Sequence, residues 1–146
     1  MLWDRLKNIS TIEFFSTSEL SENNIRGQGK GHVMVSHDSS NKICFREKGI
    51  WTNYDGKNIN FSNCYRWSQF KNNQTIGLEH LRYGKNNPVQ LVELTQEKAF
   101  IWKSIKPHIC NDDRYSLIVK ENRCHLEMIW NIAGPKKDEI IVTTYY

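Results

Sequence analysis

The nine residues from Pro107 to Tyr115, P-H-I-C-N-D-D-R-Y, hold the densest set of side chains able to do chemistry. His108, as an imidazole, is the natural base, and Asp113 could accept its N–H and so hold one tautomer. Cys110 stands two positions from His108, on the same face of an extended chain, a workable arrangement for a Cys–His nucleophile. The segment also has a purely structural reading. Asn111 to Asp113 favour Asx turns, and a turn there would break the parity that groups His108, Cys110 and Asp112 against Asp113 and Tyr115. Further on, Gly134 to Asp138 (G-P-K-K-D) is good hairpin chemistry, since proline presets φ at the second turn position. Lys136 and Lys137 would then be either solvated or placed to attract an anionic ligand.

Other polar groups fall inside strand-like patterns. His80 and Arg82 share parity with the apolar Ile76 and Leu78 and are expected to point inward, where charge is costly unless it is paired. Glu47 or Glu79 is the expected partner. Arg66 lies on the more polar face of its segment, which predicts a surface role. The five histidines (His32, His37, His80, His108 and His125) form no H-x-H or H-E-x-x-H pair. The four cysteines (Cys44, Cys64, Cys110 and Cys124) form no C-x-x-C pair, so no metal site is expected. Aromatic and basic residues interleave at Tyr65-Arg66-Trp67 and Arg82-Tyr83, as in nucleic-acid stacking platforms. Ordinary strand alternation gives the same pattern, and a net charge of +4 is too mild for a dedicated nucleic-acid binder.

These groups must be held by strands. The chain has only two alanines, Ala99 and Ala133, and is rich in β-branched and aromatic residues, so strand propensity dominates. The exception is the start, where Leu2, Trp3, Leu6 and Ile9 recur at helical spacing and predict one short amphipathic helix. From Ile12 onward the pattern is period two. Turn candidates recur along it: Gly27 to Gly31, His37 to Asn41, Tyr54 to Lys57, Lys71 to Gln74, Gly84 to Pro88, Gln96 to Lys98, Asn111 to Arg114, Glu121 to Arg123 and Gly134 to Asp138. Asp55-Gly56 is the strongest, because it suits the type I′ turn that matches strand twist. Ile59, Phe61, Tyr65 and Trp67 share one face, and Cys124, Leu126, Met128, Trp130 and Ile132 share another. Consecutive half-buried strands without intervening helices imply an antiparallel meander. Closing it into an up-and-down barrel of about eight to ten strands removes the bare edges. The expected class is all-β and calycin-like, with a two-sheet sandwich as the structural alternative.

The motif H-x-C-x-x-D-x-Y, a later tryptophan, and G-P-[KR]-K-D before a terminal tyrosine resemble an uncharacterised family of lipocalin-like domains of unknown function. The matching residues are His108, Cys110, Asp113, Tyr115, Trp130, Gly134 to Asp138 and Tyr145. Gly27 to Gly31, Phe45-Arg46-Glu47 with Gly49, and Tyr65 with Trp67 resemble that family's early strands. The segment Leu78 to Gly84 departs from the family pattern. The resemblance implies a small barrel and no established activity.

Length and composition set the remaining bounds. At 146 residues, 38% hydrophobic and 25% charged, the chain is expected to form one domain over 1–146. No apolar run reaches the roughly 18 residues of a membrane-spanning helix. Asp4, Arg5 and Lys7 interrupt the first ten residues, so no signal peptide is expected. That predicts a cytoplasmic protein with free thiols, a Cys44–Cys64 disulfide being the alternative that spacing allows. The leading expectation is a binding module, monomer or homodimer, for a small hydrophobic or amphipathic ligand. Its pocket is expected to be walled by Tyr65, Trp67, Phe100, Trp102, Met128 and Trp130. His80, Arg82, His108, Tyr115, Lys136 and Lys137 would orient the ligand and favour an anionic group, and no cofactor is assigned. Two alternatives remain: an enzyme using His108 and Asp113, or an interaction domain whose barrel is filled with side chains.

Overall fold

The computed structural model describes residues 1–18, 25–70 and 74–146. The period-two pattern becomes strands throughout. After helix α1 (Leu2–Leu6) the order is β1 (Thr11–Ser18), β2 (Ile25–Ser39), β3 (Lys42–Asn53), β4 (Asn58–Gln69) and β5 (Thr75–His80). Then come β6 (Val89–Lys98), β7 (Ile101–Ser104), β8 (His108–Cys110), β9 (Asp113–Glu121), β10 (Leu126–Gly134) and β11 (Lys137–Tyr145). Neighbours pair antiparallel in the spatial order β10-β11-β1-β2-β3-β4-β5-β6-β7-β9. A further β9–β10 ladder, Leu126↔Glu121 through Ala133↔Arg114, closes this ring into a barrel of ten strands. Closure satisfies both edges that an open sheet would leave bare. β8 is the eleventh strand; it continues the line of β7 and pairs only with the start of β9.

Register then decides which side chains meet. Paired residues of an antiparallel ladder face the same way. From Ile12↔Gly31, Val33↔Glu47, Glu47↔Asn63, Tyr65↔His80 and Trp130↔Ile141, these residues all point into the barrel. Buried Leu2, Trp3 and Leu6 on α1 stopper one end. The guanidinium of Arg5 donates to the His125 carbonyl at 3.0 Å, and the N–H groups of Ser10 and Thr11 donate to the Tyr146 carbonyl at 2.7 and 3.0 Å. Burying each large apolar side chain stabilises by roughly 1.5–3 kcal/mol. The opposite end, where β5 stops and β9 begins, is left for the site.

Several turns fall where the sequence places them: Ser40-Asn41, Tyr54-Asp55 with Gly56 at φ 81°, and Pro135-Lys136 between the paired Gly134 and Lys137. The Lys71 to Gln74 turn lies largely outside the described residues, since 71–73 are not among them. Gly27 to Gly31 are not a turn; they belong to β2, with Gly27, Gly29 and Gly31 at inward positions. These three are glycine because of what lies over them. A Cβ at Gly29 would enter the Phe14 ring, one at Gly27 the Trp51 indole, and one at Gly31 the backbone of Lys48 and Gly49. The freed space holds Phe14 stacked on Trp51 (centroids 5.3 Å apart) and edge-on to Phe61 (5.0 Å). Gln96 to Lys98 is likewise strand rather than turn, because the chain reverses one step later, at Ala99 and Phe100 with φ 66°.

Candidate functional site

A cavity of about 320 Å³ lies inside the barrel. It is bounded on the α1 side by Trp67, Leu78 and Tyr145 and reaches Arg82, His108 and Cys110 at the other end. Its two sides differ in chemistry. β10, β11 and β1 supply Met128, Trp130, Ile132, Ile141, Ile12 and Phe14, a wall that is apolar except for Thr143 and Tyr145 of β11. Facing them, β3, β4 and β5 supply Glu47, Asn63, Tyr65 and His80, and the β8–β9 hairpin adds His108 and Tyr115. Local geometry makes this division. A bulge between Leu78 and Glu79 leaves Leu91 without a ladder partner, so Leu91 joins the lining while its neighbour Val92 is buried. Asn111 at φ 56° turns the β8–β9 hairpin, so that His108 pairs with Tyr115 and Cys110 with Asp113, all on one face.

The polar groups are partly tied to one another. Glu47 is only 2% exposed, and the Tyr145 hydroxyl donates to its Oε2 at 2.5 Å, pinning β3 to β11 across the barrel. Asn63 Nδ2 reaches Oε1 only at 3.5 Å, the outer limit of a hydrogen bond. Burial pushes the Glu47 carboxyl up to about 7, against the opposing effect of those two donors. The phenols of Tyr65 and Tyr145 are raised above the ordinary tyrosine value, by burial first and then by the nearby Glu47. Burial lowers His80, and the Arg82 charge adds to the effect. The ring therefore favours the neutral form. Because its Nδ1 accepts from Arg82 Nε at 3.1 Å, the proton of that neutral ring sits on Nε2, leaving a donor. Tyr65 packs on His80 with centroids 4.8 Å apart, and Tyr115 meets His108 edge-on at 6.0 Å.

Of the residues singled out in the sequence, Tyr65, Trp67, His80, Arg82, His108, Tyr115, Met128 and Trp130 line the cavity, and Cys110 stands at its rim. Trp102 faces inward but lies in the core beyond the cavity, its indole N–H donating to Glu121 Oε2 at 3.1 Å. Phe100 is not part of the wall; its positive φ places it in the β6–β7 turn, 65% exposed. Lys136 and Lys137 lie in the β10–β11 turn and the first position of β11, exposed and outside the lining. The His108–Asp113 dyad does not form. Asp113 Oδ2 instead faces Lys137 Nζ at 3.8 Å, and the register sets His108 against Tyr115. Arg66 faces outward, as its parity indicates, and its largely covered guanidinium grips Glu79 at 3.1 and 3.3 Å. Arg82 therefore takes neither expected glutamate as its partner. Among the described residues no three His, Cys, Asp or Glu side chains converge as a metal-binding set, and all four cysteines are unbridged.

Glu47 enters the sequence reading as a partner for His80 or Arg82, not as part of the expected pocket lining, yet it is on the cavity wall. Its signal is parity: Ile43, Phe45, Glu47, Gly49 and Trp51 alternate along β3, so the glutamate sits in a row of otherwise apolar, inward positions. Tyr145, which bonds it, ends a β-branched run on β11 and occupies an equivalent inward position.

No helix among the described residues is long and apolar enough to cross a membrane. No curated protein matches the chain. A family model matches residues 13–146, the whole barrel from β1 onward, and the chain accordingly belongs to the family of unknown function DUF6314.

Proposed function

We propose that the barrel is a binding module for one flat, amphipathic small molecule, held with its face on Trp130, Met128 and Ile132 and its polar edge toward Tyr65, His80 and Tyr115. The observation that carries this reading is the division of the cavity into an apolar and a polar wall. Its volume of about 320 Å³ is at the lower end of the range typical of small-molecule sites, roughly 300–1,000 Å³. A barrel filled by its own side chains has no such space, which disfavours an interaction domain working only through its outer surface. Arg82, exposed at the open end, supplies the charge that favours an anionic substituent there. A proton-transfer enzyme built on His108 and Asp113 loses its basis, because that pair is not assembled.

The test uses 1-anilinonaphthalene-8-sulfonate, an aromatic anion whose fluorescence rises in apolar surroundings. The protein should bind it one-to-one. Ile141→Trp places a larger ring on the apolar wall and should weaken binding by about tenfold or more, as expected when a small pocket is overfilled. Undiminished binding by a folded Ile141→Trp would place the dye elsewhere and defeat the reading.

A further inference from the structure

The cavity holds more hydrogen-bonding capacity than its own residues use. A carboxylate has about four acceptor sites on its two oxygens. Glu47 receives one good hydrogen bond, from Tyr145, and one marginal contact, from Asn63. Among the described residues no cation lies within 4.0 Å of it. Removing a carboxyl group from water without a counter-charge is among the costlier arrangements available to a protein, and it persists where something else supplies the missing donors. On the same lining the indole N–H of Trp67, 1% exposed, meets no acceptor among the described residues. An under-used acceptor thus borders a cavity whose remaining surface is largely aromatic and aliphatic, whereas the Trp67 N–H is sealed within the wall.

Resting on the binding role just proposed, we infer that the ligand is a flat nitrogen heterocycle of the amidine or 2-aminopyridine type, whose paired N–H donors engage the Glu47 carboxyl. This chemistry fits the carboxyl in either protonation state. A carboxylate pairs with the protonated heterocycle, and a carboxylic acid pairs with the neutral one, exchanging one proton across the same two hydrogen bonds. The two-point geometry is the one that makes carboxylate recognition both strong and directional. The ring faces would meet Trp130 and Tyr65. An acidic substituent would extend toward Arg82, so that the two ends of the ligand carry opposite polarity.

Two probes of matched shape isolate the interaction: 2-aminoquinoline, which carries the paired donor edge, and 2-methylquinoline, which does not. Affinities are read from the quenching of tryptophan fluorescence and by calorimetry. The wild-type protein should bind 2-aminoquinoline about tenfold or more tightly than 2-methylquinoline, the size expected of a charge-assisted pair in a dry site. In Glu47→Met, which keeps the length of the side chain and removes both oxygens, that ratio should fall to about two or below. Equal affinities in the wild type, or a ratio that survives Glu47→Met, would overturn the inference and leave the binding role standing. If neither quinoline nor the anilinonaphthalene dye bound, both would fall. The wild-type comparison decides by itself should Glu47→Met fail to fold, and a melting curve with near-ultraviolet circular dichroism establishes which case applies.

Discussion

Glu47 sets a measurable dependence of stability on pH, and replacing it by glutamine isolates that dependence. Burial raises the carboxyl from a reference value of 4.5 to about 7 in the folded chain. The folded state therefore binds the proton more tightly than the unfolded state, so stability is greatest below about 4.5, falls as pH rises toward about 7, and is level above that. A difference of about 2.5 pH units corresponds to about 3 kcal/mol at 1.36 kcal/mol per unit. Glutamine keeps the shape and can still accept from the Tyr145 hydroxyl, but it does not ionise. Urea denaturation of both proteins at pH 4.5 and pH 8 gives the double difference directly. The histidines and the other carboxylates titrate in both proteins and cancel. The wild type should lose about 3 kcal/mol more than Glu47→Gln between the two pH values. At pH 8 the variant should be the more stable of the two, or should lag only by the fraction of a hydrogen bond that the weaker amide acceptor gives up. A pH response identical in the two proteins would refute the argument, since Glu47 would then be an ordinary solvated carboxylate.

Three further perturbations test the frame and the mouth of the site. Gly31→Ala would drive a Cβ into the backbone of Lys48 and Gly49 between β2 and β3, where no flexible side chain can yield; a loss of about 3 kcal/mol or more is expected in urea denaturation, and a loss under about 0.5 kcal/mol would contradict the close approach. Trp3→Ala removes the largest buried side chain of α1 from the stoppered end and should cost about 3–5 kcal/mol, read from the same transitions. A near-neutral result would mean that the helix does not close the barrel. Arg82→Ala should weaken the sulfonated dye several-fold at low salt while leaving the melting temperature within about a degree or two, because the side chain is exposed and its contacts, with His80 and the exposed Tyr83 ring, are at the surface.

Much of the architecture is legible in the chain because closure and alternation share one cause. A residue on a pleated strand must face either the core or solvent, so period-two patterns such as Phe61-Tyr65-Trp67 reveal the inner face before any register is known, although Ile59 on the same parity is exposed. The N-terminal helix is equally plain, its buried Leu2, Trp3 and Leu6 falling at helical spacing. What parity alone does not convey is depth. Trp102 and Trp67 both face inward, yet one is sealed in the core and the other lines the cavity, a difference set by barrel tilt and strand stagger. Local chemistry also misleads where tertiary packing overrules it. Three glycines at Gly27, Gly29 and Gly31 read as a turn, whereas aromatic rings and a neighbouring backbone need their missing side chains. The His108 segment looks catalytic in sequence because its polar residues crowd together. The turn at Asn111 sends Asp113 toward Lys137 and leaves His108 beside Tyr115.

Binding requires that a molecule enter the barrel between its two unlike walls. Nuclear Overhauser contacts between bound 1-anilinonaphthalene-8-sulfonate and the isotopically labelled protein measure this most directly. The dye protons should show contacts to the side chains of Met128, Ile132 and Ile141 and to the Tyr65 ring. Contacts confined to outward residues such as Met34 and Ile109, both well exposed, would show that the dye binds outside the barrel and that the cavity does not admit it.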